Sequence, residues 1–197
     1  YERGSYKSAT EVIKQTIDIV SKNGNLLLSI PLRADGTYDE KEAAILDGIE
    51  AWMTVNKESI FNTRPWVRFG EGPVAESDIS LSSGIQDGMY SNMTSADIRF
   101  NQTKKYLYVT PLGCLKTANS REVSSPKVIP ISRKTSPTVE LLGYGCLKVV
   151  QTDNGLEIQL PIVTNAIAPV LKNQSSSSFI QTINENNIVS YSYGYIN

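Results

Sequence analysis

The 197 residues contain no histidine and only two cysteines. Lacking histidine, the chain holds no His-based catalytic triad and no His-ligated metal. Two cysteines, Cys114 and Cys146, do not make a zinc site alone. A disulfide between them is one reading; two small core residues is the preferred one, since neither has the neighbours of a reactive thiol. No apolar run reaches the roughly 18 residues of a membrane span, and no leader peptide is visible. An excess of charge is also missing: 19 basic against 20 acidic residues argues against a nucleic-acid partner, which calls for a basic face. What is present is 40% apolar residues, enough for a packed core in one or two domains.

The chain is organised around Ser21 to Glu40, SKNGNLLLSIPLRADGTYDE. Leu26, Leu27, Leu28 and Ile30 form an almost unbroken apolar run. A strand with one wet face would alternate, so the run predicts a strand covered on both faces, as in a parallel sheet. A helix precedes it. Ser8 and Glu11 fit a capping box, and Ala9, Ile13, Ile17 and Val20 share one face, widened by Val12 and Ile19. Asn23-Gly24 ends that helix, with Gly24 expected in the left-handed conformation of a C-cap. After the strand, Pro31 stops the ladder and Asp35-Gly36 is a turn signal. Thr37 and Glu40 read as a second capping box, opening a helix whose face is Ile45, Ile49 and Trp52 and which is expected to fray near Asn56.

Helix, buried strand and helix make one repeat of an α/β barrel or doubly wound sheet. The functional end of such a fold is the C-terminal edge of its strands, here Ser29 to Gly36. Arg33 offers the fork suited to sugar hydroxyls or carboxylates; as a surface residue it would instead pair with Asp35 or Asp39. Tyr1 lies at the end of the preceding strand, where it could stack on a sugar or pack beneath the loop. Both are candidate substrate-binding residues. The carboxylates of Asp18, Glu40, Glu42 and Glu50 sit in helical patterns and read as solvated, so no catalytic residue is assigned.

From Arg64-Pro65-Trp66 onward, helical periodicity gives way to β-branched and aromatic residues. Short strands are predicted at 66–70, 97–101, 104–110, 127–132, 138–142, 147–152, 156–162 and 166–171. Lys104-Lys105 and Asp153-Asn154-Gly155 read as hairpin links. Evenly spaced short strands imply an antiparallel sandwich. Leu156, Ile158 and Leu160 make one buried face. Residues 74–96 read as a long loop, and the serine run 175–178 as a linker. A further hairpin is expected around residues 184–187, with Tyr191, Tyr193 and Tyr195 on one face. That row suits cross-strand packing or sugar stacking. Asn92-Met93-Thr94, Asn101-Gln102-Thr103 and Asn173-Gln174-Ser175 are N-glycosylation triplets whose meaning depends on the source.

The strings YKSATEVI, IVSKNGNLLLSIPLRADGTYDE and SIFNTRPW resemble the α-L-fucosidases, a retaining glycoside hydrolase family. Weaker resemblance continues through Gly70-Glu71-Gly72-Pro73, Asp97-Ile98-Arg99-Phe100 and Val139-Glu140-Leu141-Leu142-Gly143, and so reaches about residue 172. Ser29 and Lys57 depart from the family's usual Asn and Gly. The resemblance implies α/β followed by all-β: the last βα unit of a TIM-like barrel in 1–63, an antiparallel β-sandwich in 64–172, and a linker with an extra hairpin in 173–197. It implies a fucosylated glycan or oligosaccharide as substrate, no cofactor or metal, no nucleic acid or membrane partner, and a secreted, periplasmic or lysosomal setting. It places the nucleophile and the acid/base carboxyl of the double displacement upstream of Tyr1. A barrel needs eight strands and about 250 residues, so the lone strand must find its ladder in an upstream barrel segment. An uncovered Leu26–Ile30 rim, or an antiparallel pairing of it inside the second half, would take the sugar-cleaving assignment with it. The alternative is a non-catalytic carbohydrate-binding or structural β-sandwich module.

Overall fold

The computed structural model describes residues 6–76, 89–113, 128–129, 138–152, 155–159, 161, 167–174, 180–183 and 189–192. Its elements run α1 (Ala9–Ser21), α2 (Glu40–Asn56), a 3-10 turn (Lys57–Ser59), β1 (Arg64–Glu71), the single turns α3 (Pro73–Glu76) and α4 (Met89–Asn92), β2 (Ile98–Gln102), β3 (Tyr106–Pro111), β4 (Val128–Ile129), β5 (Val139–Leu141), β6 (Gly145–Cys146), β7 (Lys148–Thr152), β8 (Gly155–Gln159), β9 (Leu171–Gln174), β10 (Ile180–Ile183) and β11 (Val189–Ser192).

α1 forms where its cap and apolar stripe predict. The Ser8 side chain accepts from the Glu11 amide, and the Glu11 carboxylate accepts from the Ser8 amide. Those bonds, the backbone one first, hold the Glu11 carboxyl below the usual carboxylate range. At the other end it is Asn23, at φ 65°, that takes the left-handed conformation. Gly24 is required for closeness instead: a Cβ there would lie 2.8 Å from Ile19 Cγ2. α2 is capped two residues later than expected, by Asp39 with Glu42. Thr37 is not available as a cap, because its amide and hydroxyl both donate to Asp35 Oδ1, at 3.0 and 2.7 Å. Asn56 is buried rather than frayed, and its amide donates to the Trp52 carbonyl at 3.0 Å.

The expected strand at Leu26–Ile30 does not form. Residues 24–33 belong to neither helix nor sheet, and Leu27 stands 95% exposed. A parallel strand exists only through the backbone partners beside it, and no described strand lies beside this one.

The described strands make three antiparallel sheets. Six strands run in the order β1-β2-β3-β9-β5-β6, three in the order β4-β8-β7, and β10 pairs with β11. The hairpins at Lys104-Lys105 and between β7 and β8 form as read, and so does the terminal hairpin. Residues 153–154 of the second turn, together with Tyr193 and Tyr195, lie outside the described residues. The strand expected at 166–171 sits later, at Leu171–Gln174, where β3 and β5 flank it. Within the expected 74–96 loop, residues 74–76 and 89–92 are helical turns. Cys146 is not a core residue: it is exposed, on the sheet's short edge strand. Cys114 lies outside the described residues.

Strand alternation gives the large sheet two unlike faces. One cross-strand row is Phe100, Val109, Leu171 and Leu141. It is buried in a cluster with Trp66, Leu107 and Val139 that Ile158 of β8 joins. The neighbouring row is Asn101, Tyr108, Lys172, Glu140 and Cys146, and the helices lie over this second face. Ile13, Ile17, Trp52 and Ile60 pack there with Tyr108, Leu112, Leu142 and Val170. Burying side chains of this size stabilises by about 1.5–3 kcal/mol each.

Polar contacts fix the helices in register with the sheet. Glu58 accepts from the Tyr108 hydroxyl at 3.2 Å and from Lys172 Nζ at 2.9 Å. Lys172 also lies 3.7 Å from Glu140 and 4.4 Å above the Tyr106 ring. Burial pulls the Lys172 ammonium toward its neutral form, but the Glu58 bond and charge outweigh it, and its pKa stands above the usual value. On α1, Asp18 accepts from Arg99 Nε at 2.6 Å and Lys22 Nζ at 2.9 Å, with the Tyr90 hydroxyl at 3.4 Å. Burial first, then the Asp18 charge, pushes the Tyr90 phenol up to about 12. Burial and Glu58 raise Tyr108 likewise.

These phenols predict an alkaline transition. A raised native pKa means that the unfolded chain loses the proton first. The stability from Tyr90 is therefore intact below pH 10 and lost as pH rises through about 12. An ultraviolet phenolate titration, compared with Tyr90→Phe and Tyr108→Phe variants, should assign late ionisation to these two phenols. Ionisation of either near pH 10 would refute its packing against Asp18 or Glu58.

Candidate functional site

The edge Ser29–Gly36 is built as a turn between an extended segment and the N-terminus of α2. The Arg33 amide donates to the Thr37 carbonyl at 2.6 Å, and the Gly36 amide to the Arg33 carbonyl at 2.9 Å. Gly36 has φ 83°, the left-handed geometry that makes glycine the natural residue there. Two bonds from Thr37, the backbone one first, hold the Asp35 carboxyl below its usual range.

The Arg33 fork is turned along the loop. Nη1 donates to the Tyr38 carbonyl at 3.3 Å, and Nη2 lies 3.9 Å from Glu40 Oε2. Glu40 is 95% exposed, so this pair is screened and contributes about 0–1 kcal/mol. Tyr1 lies outside the described residues. Sequence reasoning missed Tyr6, whose hydroxyl donates to Asp39 Oδ2, with Lys41 Nζ 5.1 Å from its ring. The bond joins residues 33 positions apart, and no local signal carries it.

Behind the edge lies an open cleft of about 150 Å³. Leu28, Ile30 and Pro31 form one wall; Val12 of α1 and Ile45 and Leu46 of α2 form the other, with Tyr6, Lys7 and Glu42 at its polar margin. The segment therefore presents two sides. Leu28 and Ile30 line the cleft, Leu28 remaining 40% exposed, while Leu27 is 95% exposed and Ser29 is exposed too. Leu32, 55% exposed, and Tyr38, 48% exposed, extend the bare apolar surface.

Helices thus lie over one face of an antiparallel sheet, beside an apolar segment with unequal sides. In overall shape the chain matches the crystal structure of Thermotoga maritima α-fucosidase in complex with a mechanism-based inhibitor, with a TM-score of 0.61 at 23% identity over 89% of this chain. It also matches α-L-fucosidase isoenzyme 1 from Paenibacillus thiaminolyticus, with a TM-score of 0.57 at 18% identity. In sequence, residues 1–58 match the α-L-fucosidase family, and the chain is similar to α-L-fucosidases. The Dictyostelium discoideum α-L-fucosidase is 36% identical over 67 residues, 34% of this chain and 14% of that protein. Human plasma α-L-fucosidase is 36% identical over 61 residues, 31% of this chain and 13% of that protein. The chain spans 37% of the length of the Thermotoga structure.

Proposed function

We propose that this chain is part of an α-L-fucosidase and releases terminal α-L-fucose only together with polypeptide upstream of Tyr1. The observation that carries this is the match of residues 1–58 to the α-L-fucosidase family; the unequal cover of one apolar segment is consistent with it. Leu28 and Ile30 line a cleft against helices while Leu27 is bare. A strand of a (β/α) barrel has just these two sides, one toward the helical layer and one toward the barrel interior. Residues 1–63 would then be the last βα unit of the barrel, 64–172 a β-sandwich, and 173–197 a linker with a hairpin. The mechanism would be retaining, with a carboxylate nucleophile and an acid/base carboxyl both supplied upstream. Tyr1 and Arg33 would border the substrate edge, Arg33 by leaving its 3.9 Å pairing with Glu40. The substrate would be a fucosylated glycan.

The test is hydrolysis of a nitrophenyl α-L-fucoside. The longer protein is expected to release nitrophenol, and residues 1–197 alone to release none. Turnover by residues 1–197 would place catalytic groups inside this chain and overturn the assignment. Glycan binding by residues 64–197 alone, with no turnover by the longer protein, would favour the binding-module alternative.

A further inference from the structure

Three Asn-X-Ser/Thr triplets occur in the chain, and the fold treats them differently. Asn101 is 3% exposed on β2, and its Nδ2 already donates to the Ser59 carbonyl at 3.0 Å. Asn173 is 4% exposed on β9, paired with Leu107 on one side and Val139 on the other. A glycan on either would have to displace the 3-10 turn or part the sheet. Asn92 is the opposite case. It closes α4 and is exposed, as is Thr94 two residues on. Met93 between them is 3% exposed and packs with Ile13 and Ile17, while its carbonyl accepts from Lys14 Nζ at 2.7 Å. The middle residue is thus pinned to α1 while the two outer side chains reach solvent. Thr94 Oγ1 accepts from the Ala96 amide at 3.2 Å and donates to Asp97 Oδ2 at 3.4 Å, which holds the hydroxyl in a turn just beyond the acceptor asparagine.

We infer that Asn92 is an N-glycan acceptor, and that Asn101 and Asn173 are not acceptors in the folded chain. The donor is an oligosaccharide on a polyprenyl pyrophosphate, used by an oligosaccharyltransferase. Asn92 Nδ2 forms a bond to C1 of the reducing-end sugar, the C1–oxygen bond to pyrophosphate breaks, and the polyprenyl pyrophosphate leaves with its electron pair as Nδ2 loses a proton. The hydroxyl two residues on is part of the acceptor motif. Asn92 and Thr94 lie outside the Ser29–Gly36 edge and its cleft.

Residues 1–197 would be expressed behind a secretory leader in a eukaryotic host. Retained and secreted material would be pooled, its folded fraction taken by protease resistance, and its glycopeptides read by mass spectrometry. The expected result is one glycan per chain, on Asn92. It should be abolished by Asn92→Gln and by Thr94→Val, kept in Thr94→Ser, and unaffected by Asn101→Gln or Asn173→Gln. An unmodified Asn92, or a glycan on Asn101 or Asn173 in the folded fraction, would overturn it.

Discussion

Replacing Arg99 with methionine is expected to destabilise the chain by about 3–5 kcal/mol, because one member of a buried ion pair is lost while the other stays behind. The Arg99 side chain is 0% exposed and that of Asp18 is 2%. Without the guanidinium, the Asp18 charge keeps, among the described residues, Lys22, whose side chain is 39% exposed, and a phenol at 3.4 Å. Lys22 offsets part of the loss, which places the expected value toward the lower end. Two further contacts go with the arginine: its Nη1 bond to the Ile98 carbonyl at 3.0 Å and its stacking 5.6 Å from the Phe69 ring. The measurement is chemical denaturation of wild type, Arg99→Met, Asp18→Leu and the double variant. The double variant should regain most of the loss, since an apolar pair leaves no stranded charge. A cost below about 1 kcal/mol for Arg99→Met would mean that water reaches Asp18.

Leu27→Asn is expected to have opposite weights in two contexts. In residues 1–197 the side chain is 95% exposed, and the change should move stability by no more than about 0.5 kcal/mol while lowering aggregation. In the longer protein the same leucine would face the interior of a closed barrel. There the change should cost about 2–5 kcal/mol, the range for deleting a packed leucine, with an added penalty for a buried amide. Thermal unfolding of both proteins, with and without the substitution, separates the cases. Equal effects in both would remove the barrel strand from the proposal.

What the sequence made legible was local. The cap and stripe of α1, the Asp35-Gly36 turn and the hairpin at Lys104-Lys105 all need only neighbours within a few positions. The second cap shows the limit. Thr37/Glu40 and Asp39/Glu42 both have the right spacing, and the choice is made by Asp35 claiming the Thr37 hydroxyl. The position of β9 is set by β3 and β5, 30 or more residues away, and so departs from the local pattern. The Asp18–Arg99 pair spans 81 positions and leaves no local pattern. At the candidate site, the turn could be read but the direction of the Arg33 fork could not, since it depends on where the Tyr38 carbonyl points. The strand at Leu26–Ile30 fails for a different reason. The run is apolar, but it is not covered on two faces, and a parallel strand is a property of its partners. Its uncovered state does count against the barrel reading. Against that stand the matched residues 1–58 and the unequal faces of the segment itself.

The indole of Trp52 donates to the carbonyls of Ile167 and Ala168, at 2.9 and 3.2 Å, across 115 and 116 positions. On the ribosome, the second helix therefore leaves the exit tunnel long before the residues that latch it have been translated. At about 5–20 residues per second, it waits on the order of ten seconds with its tryptophan in water. Over that interval the indole that Ile167 and Ala168 will latch stays open to other contacts.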